Sequence, residues 1–322
     1  MKEHLTVVYL TNRPEPRFEW FASSLARSLV GDPTGIRLVI VDAHADLPGR
    51  RADFKALAPF GIEVVYVPPK PCVWQGPQRL TSQDYYAASN ARNTGLCLAP
   101  DGWLAYADDL SVLTPGWLPA VRQAMATGRF TLGAYRKVRK LTVASDGQIV
   151  SFAPCDSNPA SPAGWDSRYK HGSDDGPIPA YDSWFFGCSM VGPVEAFLSF
   201  NGFEEDCDGM GFEDCITGLY AARAGVKTWY DRRMFTLEDE DLHFQPGGCV
   251  LPRFNAVYPP GGPDQDACWR ILREARSGIR QRSTTYPEPL ADIRRRVLAG
   301  EPFPSAMAPT ISWQDGRPLS EF

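Results

Sequence analysis

Three short runs rich in branched apolar residues restrict the fold more than anything else in this chain. They lie at residues 5–10 (LTVVYL), 36–41 (IRLVIV) and 62–67 (IEVVYV), each closed by turn-forming residues. Between the first two, Phe21, Leu25 and Leu29 recur at four-residue spacing, which predicts a helix over residues 18–30. Strand, helix and strand in alternation predict a parallel α/β sheet with right-handed crossovers. Ligands in such sheets sit beyond the carboxyl ends of the strands, so loops 11–16, 42–46 and 68–78 are the places to search. Further along, the pattern predicts a helix over 83–98, a strand over 103–107, a helix from 115 to 125 and a strand over 184–191. Residues 143–182 are rich in Ser, Pro, Gly and Asp and are expected to form a long functional loop or lid.

A chain of 322 residues with 43% hydrophobic and 22% charged residues can bury a sizeable core. Its net charge of -5 supplies no general basic field for nucleic acid, although a local patch is compatible with that total. The eight cysteines form no CxxC pair, so reduced thiols and a cytoplasmic protein are expected. The run LTVVYL is too short for a signal peptide, and no stretch reaches the length of a membrane span. Beyond residue 245 the character changes. A Pro/Gly-rich linker at 246–263 precedes two arginine-rich helices, at 265–281 and 289–298. They are expected to form a helical appendage with a solvated basic face; a surface for nucleic acid or an anionic membrane is the other reading.

Several polar clusters sit where chemistry would be placed. Asp108 and Asp109 follow the strand WLAYA, and carboxylates at a strand's end suit a divalent cation and its diphosphate; a capping turn is the plain alternative. Arg92, in ARNTG, either pairs with phosphate or makes a structural ion pair. Asp42 ends the second strand, to accept a bond from a ribose or base or simply to form a turn. The run 201–225, NGFEEDCDGMGFEDCITGLYAARAG, passes from a glycine-punctuated acidic turn into a helix with Glu213 and Asp214 in its first turn. The helix dipole favours carboxylates there, which is compatible with a rigid general base or with a cap. His243 closes the acidic run EDEDLH and is either a metal ligand or structural. An EF-hand over 204–215 fails because position twelve is Cys215. No GxGxxG, Walker A or GxSxG motif is found in a suitable context.

Taken in order, LTVVYLTNRP, IRLVIVDAHAD, ARNTGLCLA, WLAYADDLSVLTPGW and the segment from WFFGCSM to AARAG resemble a GT-A fold glycosyltransferase of the family 2 type, with a galactosyltransferase-like C-terminal half. The likeness spans residues 5–243. It implies a Rossmann-like mixed α/β sheet flanked by helices over 1–245, with a nucleotide-binding half at about 1–115 and an acceptor half at about 116–245, followed by the extension at 246–322. It also implies that Thr11, Asn12, Arg13, Asp42, Arg92 and Asp108 bind the donor, a nucleotide-diphospho-sugar with UDP the favoured nucleotide. Asp108, Asp109 and His243 would hold Mn2+ or Mg2+. Asp214 matches the catalytic base, while Glu213, Trp184 and Gly187 fall on the acceptor side. The chain departs from the family's usual D-x-D at Leu110, which stands where the second Asp is expected and leaves metal dependence open.

The reading is therefore an inverting, hexosyltransferase-like sugar transfer to a hydroxyl of a glycan or another acceptor, a nucleic acid being one option. A nucleotidyltransferase is the nearest rival, but residues 11–17 lack its glycine-rich basic loop. A non-catalytic sugar- or nucleotide-binding protein on the same fold is the other.

Overall fold

The computed structural model describes residues 4–31, 35–50, 54–79, 84, 86–155, 162–208, 213–243, 265–279, 286 and 288–305. The linker expected at 246–263, and the turn at 209–212, lie outside them. In chain order the elements are β1 (Leu5–Thr11), α1 (Phe18–Ser28), β2 (Ile36–Asp42), β3 (Glu63–Val67), α2 (Ala88–Leu98), β4 (Trp103–Asp108), β5 (Ser111–Leu113), α3 (Trp117–Thr127), β6 (Phe130–Val143), β7 (Ile149–Pro154), β8 (Ile178–Pro179), β9 (Ser189–Pro193), α4 (Val194–Ser199), α5 (Glu213–Arg223), β10 (Thr228–Asp239), α6 (Gln265–Ser277) and α7 (Leu290–Leu298).

Among the described residues ten strands form one mixed sheet, with order β3-β2-β1-β4-β9-β6-β10-β5; β7 adds to β6 and β8 to β10. The first four strands are parallel, and of these β1 and β2 are the apolar runs buried on both faces. Side chains alternate between the faces. Val8, Leu10, Val39, Leu104 and Tyr106 join one cluster, covered by residues of α2, α4, α5, α6 and α7. Val7, Tyr9, Leu38, Ile40 and Ala105 join the other, under α1 and α3. Each fully buried Val, Leu or Ile contributes about 1.5–3 kcal/mol of transfer free energy.

The second half of the sheet is not parallel throughout. β9 runs antiparallel to both β4 and β6, and β10 pairs parallel with β6. This insertion brings the start of β9 and the end of β4 to the same edge, with the Asp108 N–H donating to the Cys188 carbonyl at 3.3 Å.

Three expectations are corrected here. The described part of 143–182 is built into the fold rather than forming a lid. It supplies β7 and β8, and Asp166 and Arg168 are buried in a mutual ion pair at 2.7 Å. The strand expected over 184–191 begins only at Ser189, and Trp184 ends a short 3-10 turn instead. The helix expected from residue 83 starts at Ala88. The two C-terminal helices share the main core: Ile271, Leu272, Leu290 and Ile293 are buried in it, and Arg294 donates to the Ala99 carbonyl at 2.9 Å.

Candidate active site

β1 and β4 end level with each other, Leu10 being paired with Asp108. Beyond those ends lies a cavity of about 400 Å³, closed on its other sides by the start of α5, the approach to β9 and the end of β10. The first turn of α5 presents Glu213 and Asp214 to this cavity, opposite Asp108.

Arg92 connects the two sides. Carried on the buried face of α2 and only 3% exposed, it places Nη2 3.1 and 3.3 Å from the Asp108 oxygens. Its Nη1 lies 3.4 Å from Asp214 Oδ1 and 3.8 Å from Glu213 Oε1. The guanidinium also rests over the Phe203 ring, 5.5 Å from its centre. Asp214 is fixed a second time, because the Gly187 N–H donates to its Oδ2 at 2.9 Å. One guanidinium thus joins Asp108 to the adjacent Glu213 and Asp214, which follow it in the chain by more than a hundred residues.

The turn after β4 sends its two aspartates in different directions. Leu110 adopts a left-handed backbone (φ 57°) and is buried, a conformation that is uncommon for a non-glycine residue and accompanies the reversal into β5. Asp109 points back into the protein, accepting from Thr11 Oγ1 at 2.6 Å and Arg13 Nε at 3.0 Å. Arg13 continues to His243, whose Nδ1 lies 3.2 Å from Nη2 and whose carbonyl accepts a further bond from Nη1. The Arg13 guanidinium therefore lies between two of the three expected cation ligands. Asp108 remains 31% exposed toward the cavity. Among the described residues no group of three or more His, Cys, Asp and Glu side chains converges as a ready cation site.

Asp42 is fully buried outside the cavity lining. Its oxygens accept from Arg50 Nε at 2.7 Å, Tyr66 Oη at 2.5 Å and the His44 N–H at 2.9 Å. Arg50 also donates to the carbonyls of Arg13 and Pro14, tying the first two strand-end loops together. Asn12 is buried beneath His44, whose Nε2 lies 2.8 Å from its carbonyl. Trp184 packs among His171, Tyr181 and Tyr230, away from the cavity lining.

The lining also includes residues to which the sequence reading gave no role, among them Lys137 on β6 and Glu238 on β10, paired in register across the sheet. Strand alternation was the available signal: Tyr135 and Lys137 share one face of β6, and both line the cavity.

Electrostatically the cavity favours protonated acids. Burial, then the neighbouring Asp214, pushes the Glu213 carboxyl up to about 7, with Arg92 opposing. Asp214 is raised as well, again by burial, against Arg92 and the Gly187 N–H. Burial carries Glu238 up to about 8 despite Lys137, and it lifts Asp109 despite Arg13. Burial and the charges of Lys137 and Arg13 hold His243 down at about 2, a neutral imidazole.

No protein-family model matches the sequence, and no curated protein matches it. Among solved structures, the chain is similar to GalNAc-T7, crystallised with UDP, GalNAc and Mn2+: TM-score 0.51 and 12% identity over 84% of this chain and 48% of that one. The fold is GT-A. Residues 1–349 of S. aureus TarS, in complex with UDP, are similar at a TM-score of 0.47 and 11% identity, over 73% of this chain and 60% of that one. The chain spans about half the length of GalNAc-T7, at 48%. In this GT-A chain the cavity lies where an α/β sheet of that topology offers its ligand site, at the carboxyl ends of the parallel strands.

No helix among the described residues is long and apolar enough to cross a membrane. The cysteines at 72, 97, 155, 188 and 215 are free thiols.

Proposed function

We propose that this protein transfers a sugar from a nucleotide-diphospho-sugar, with UDP as the nucleotide, to an acceptor hydroxyl with inversion at the anomeric carbon. The observation that carries this reading is the placement of Asp108 opposite Glu213 and Asp214 across one cavity, joined by Arg92, at the strand ends of a GT-A sheet. The GalNAc-T7 and TarS structures contain UDP, and the first contains GalNAc and Mn2+.

Asp214 is the general base. Both of its oxygens are held, one by Arg92 and one by the Gly187 N–H, so its remaining lone pairs are aimed rather than mobile. Glu213, beside it, accepts or donates a hydrogen bond to the acceptor hydroxyl according to its charge. As Asp214 takes the hydroxyl proton, the oxygen attacks the anomeric carbon, and the bond to the diphosphate oxygen breaks on the opposite side. Arg13 and Lys137 line the cavity and favour the anionic leaving group.

One carboxylate facing the cavity, Asp108, is of the kind that a divalent cation accepts. Mg2+ or Mn2+ accepts one or two protein carboxylates when phosphate oxygens complete its shell. Asp108 would hold it, being 31% exposed against 10% for Asp109, with its bonds to Arg92 yielding to the ion. The ion, when bound, supplies charge neutralisation for the diphosphate.

A thermal-shift screen of nucleotide sugars with and without Mn2+ tests donor and cation together. Stabilisation by one nucleotide sugar, followed by acceptor-dependent release of its nucleotide, is the expected result. Failure of every nucleotide sugar to stabilise the protein or release nucleotide would remove the reading.

A further inference from the structure

Resting on the transfer reading above, we infer that Gly187 is a positioning residue: its missing side chain is the seat of the Arg92 guanidinium, and through Arg92 it fixes the base. The family resemblance implies an acceptor contact for Gly187; the geometry adds a seat for Arg92.

Glycine at this position is not demanded by the backbone, since Gly187 is not among the residues of positive φ. It is demanded by space. A Cβ built on Gly187 would lie 2.1 Å from Arg92 Cζ, 2.3 Å from Nη2 and 2.4 Å from Nε, closer than real Cβ contacts come. The guanidinium therefore lies flat against a bare backbone. Nε, which has no hydrogen-bond partner among the described residues, is part of that face.

A flexible arginine on the surface would simply step aside from a new methyl group. Arg92 is poorly placed to do so. It is 3% exposed, its guanidinium is held by Asp108, Asp214 and Glu213, and Phe203 lies under it. Its contacts with the three carboxylates span 3.1–3.8 Å and already include marginal ones, which leaves little tolerance for a shift that lengthens them. Gly187 also donates its own N–H to Asp214. One residue thus sets both ends of the base: Oδ2 directly, and Oδ1 through the arginine that it seats.

A double-mutant cycle separates a seat from a substrate contact. Gly187→Ala is expected to lower kcat by up to about 100-fold, the cost of displacing a catalytic group by roughly 1 Å, with acceptor KM nearly unchanged. In an Arg92→Ala background, where the obstructed side chain is gone, the same substitution is expected to change kcat by less than about twofold. Arg92→Lys, which removes the broad fork, is expected to restore part of the activity lost in Gly187→Ala. Equal losses in both backgrounds, or a rise in acceptor KM in both, would overturn the inference. Arg92→Leu serves as a second background if Arg92→Ala fails to fold. If the wild type transfers no sugar at all, the function reading fails by itself. The cycle is then read on the melting temperature, where strong coupling supports the seat and additivity overturns it.

Discussion

The carboxylate of Asp208 accepts hydrogen bonds from the backbone N–H groups of Ser89, at 2.7 Å, and Asn90, at 2.8 Å, which precede it by 119 and 118 residues. Those two groups belong to the first turn of α2, whose own N-cap residue, Ala87, offers no side-chain bond. The helix that carries Arg92 is therefore capped from the far half of the chain. Asp208→Ala should destabilise the protein by about 1–3 kcal/mol, because it leaves buried donors unpaired. Asp208→Asn should cost less. Denaturant unfolding measures both, and an unchanged midpoint for Asp208→Ala would contradict the cap.

At the base, Asp214→Asn keeps the shape and removes the negative charge. Transfer should fall by about 10²–10⁴-fold while donor binding persists. Turnover with intact rate would rule Asp214 out.

Asp108 and Asp109 should separate cleanly. Asp108→Ala is expected to weaken cation-dependent nucleotide binding and to cost less stability than Asp109→Ala, because Asp214 and Glu213 still face the buried Arg92. Asp109→Ala is expected to cost about 3–5 kcal/mol of stability, since Arg13 is left buried with its principal carboxylate gone. Titration calorimetry and thermal melts distinguish these outcomes, and a reversal of the two phenotypes would place the cation at Asp109.

The raised acids predict opposite pH slopes for activity and stability. Glu213, pushed up from 4.5 to about 7, and Glu238, pushed up to about 8, bind protons in the folded state that the unfolded chain has already released. Stability should therefore fall as pH rises through that interval, and the contribution is fully present only below the unfolded values. Transfer requires an ionised base, so kcat should rise with pH near neutrality as the interacting pair loses its first proton. Melts and rates measured across roughly pH 5–9 check both, and Glu213→Gln should flatten part of the stability slope.

β1 and β2 were legible because burial on both faces turns them into nearly uninterrupted apolar runs, and β3 was legible from its Val-rich run at the sheet edge. β6 and β10 were not, since Arg136, Lys137, Arg139 and Lys140 on the one, and Asp231, Arg232 and Arg233 on the other, mask their periodicity. In the candidate site, Asp108, Glu213 and Asp214 were readable from their places at a strand's end and a helix's first turn. The diversion of Asp109 and His243 to Arg13 was not, because those contacts join residues 96 and 230 apart. Nor did the acidic turn announce its division of labour. Glu205 is consumed by Lys70 at 2.7 Å and by Asn93, while Glu204 accepts from Tyr220.

The cap supplied by Asp208 also governs how this protein can be recombined. A chimaera made by exchanging everything after the middle of the chain for a segment lacking an equivalent of Asp208 would leave α2 with no acceptor for its leading N–H groups. It would also lose the α7 contacts through which Arg294 holds Ala99 and Asp101. Any acceptor specificity of the proposed transferase is therefore better grafted by replacing cavity-lining side chains than by swapping halves, because the N-terminal half is completed by the part of the chain that such a swap discards.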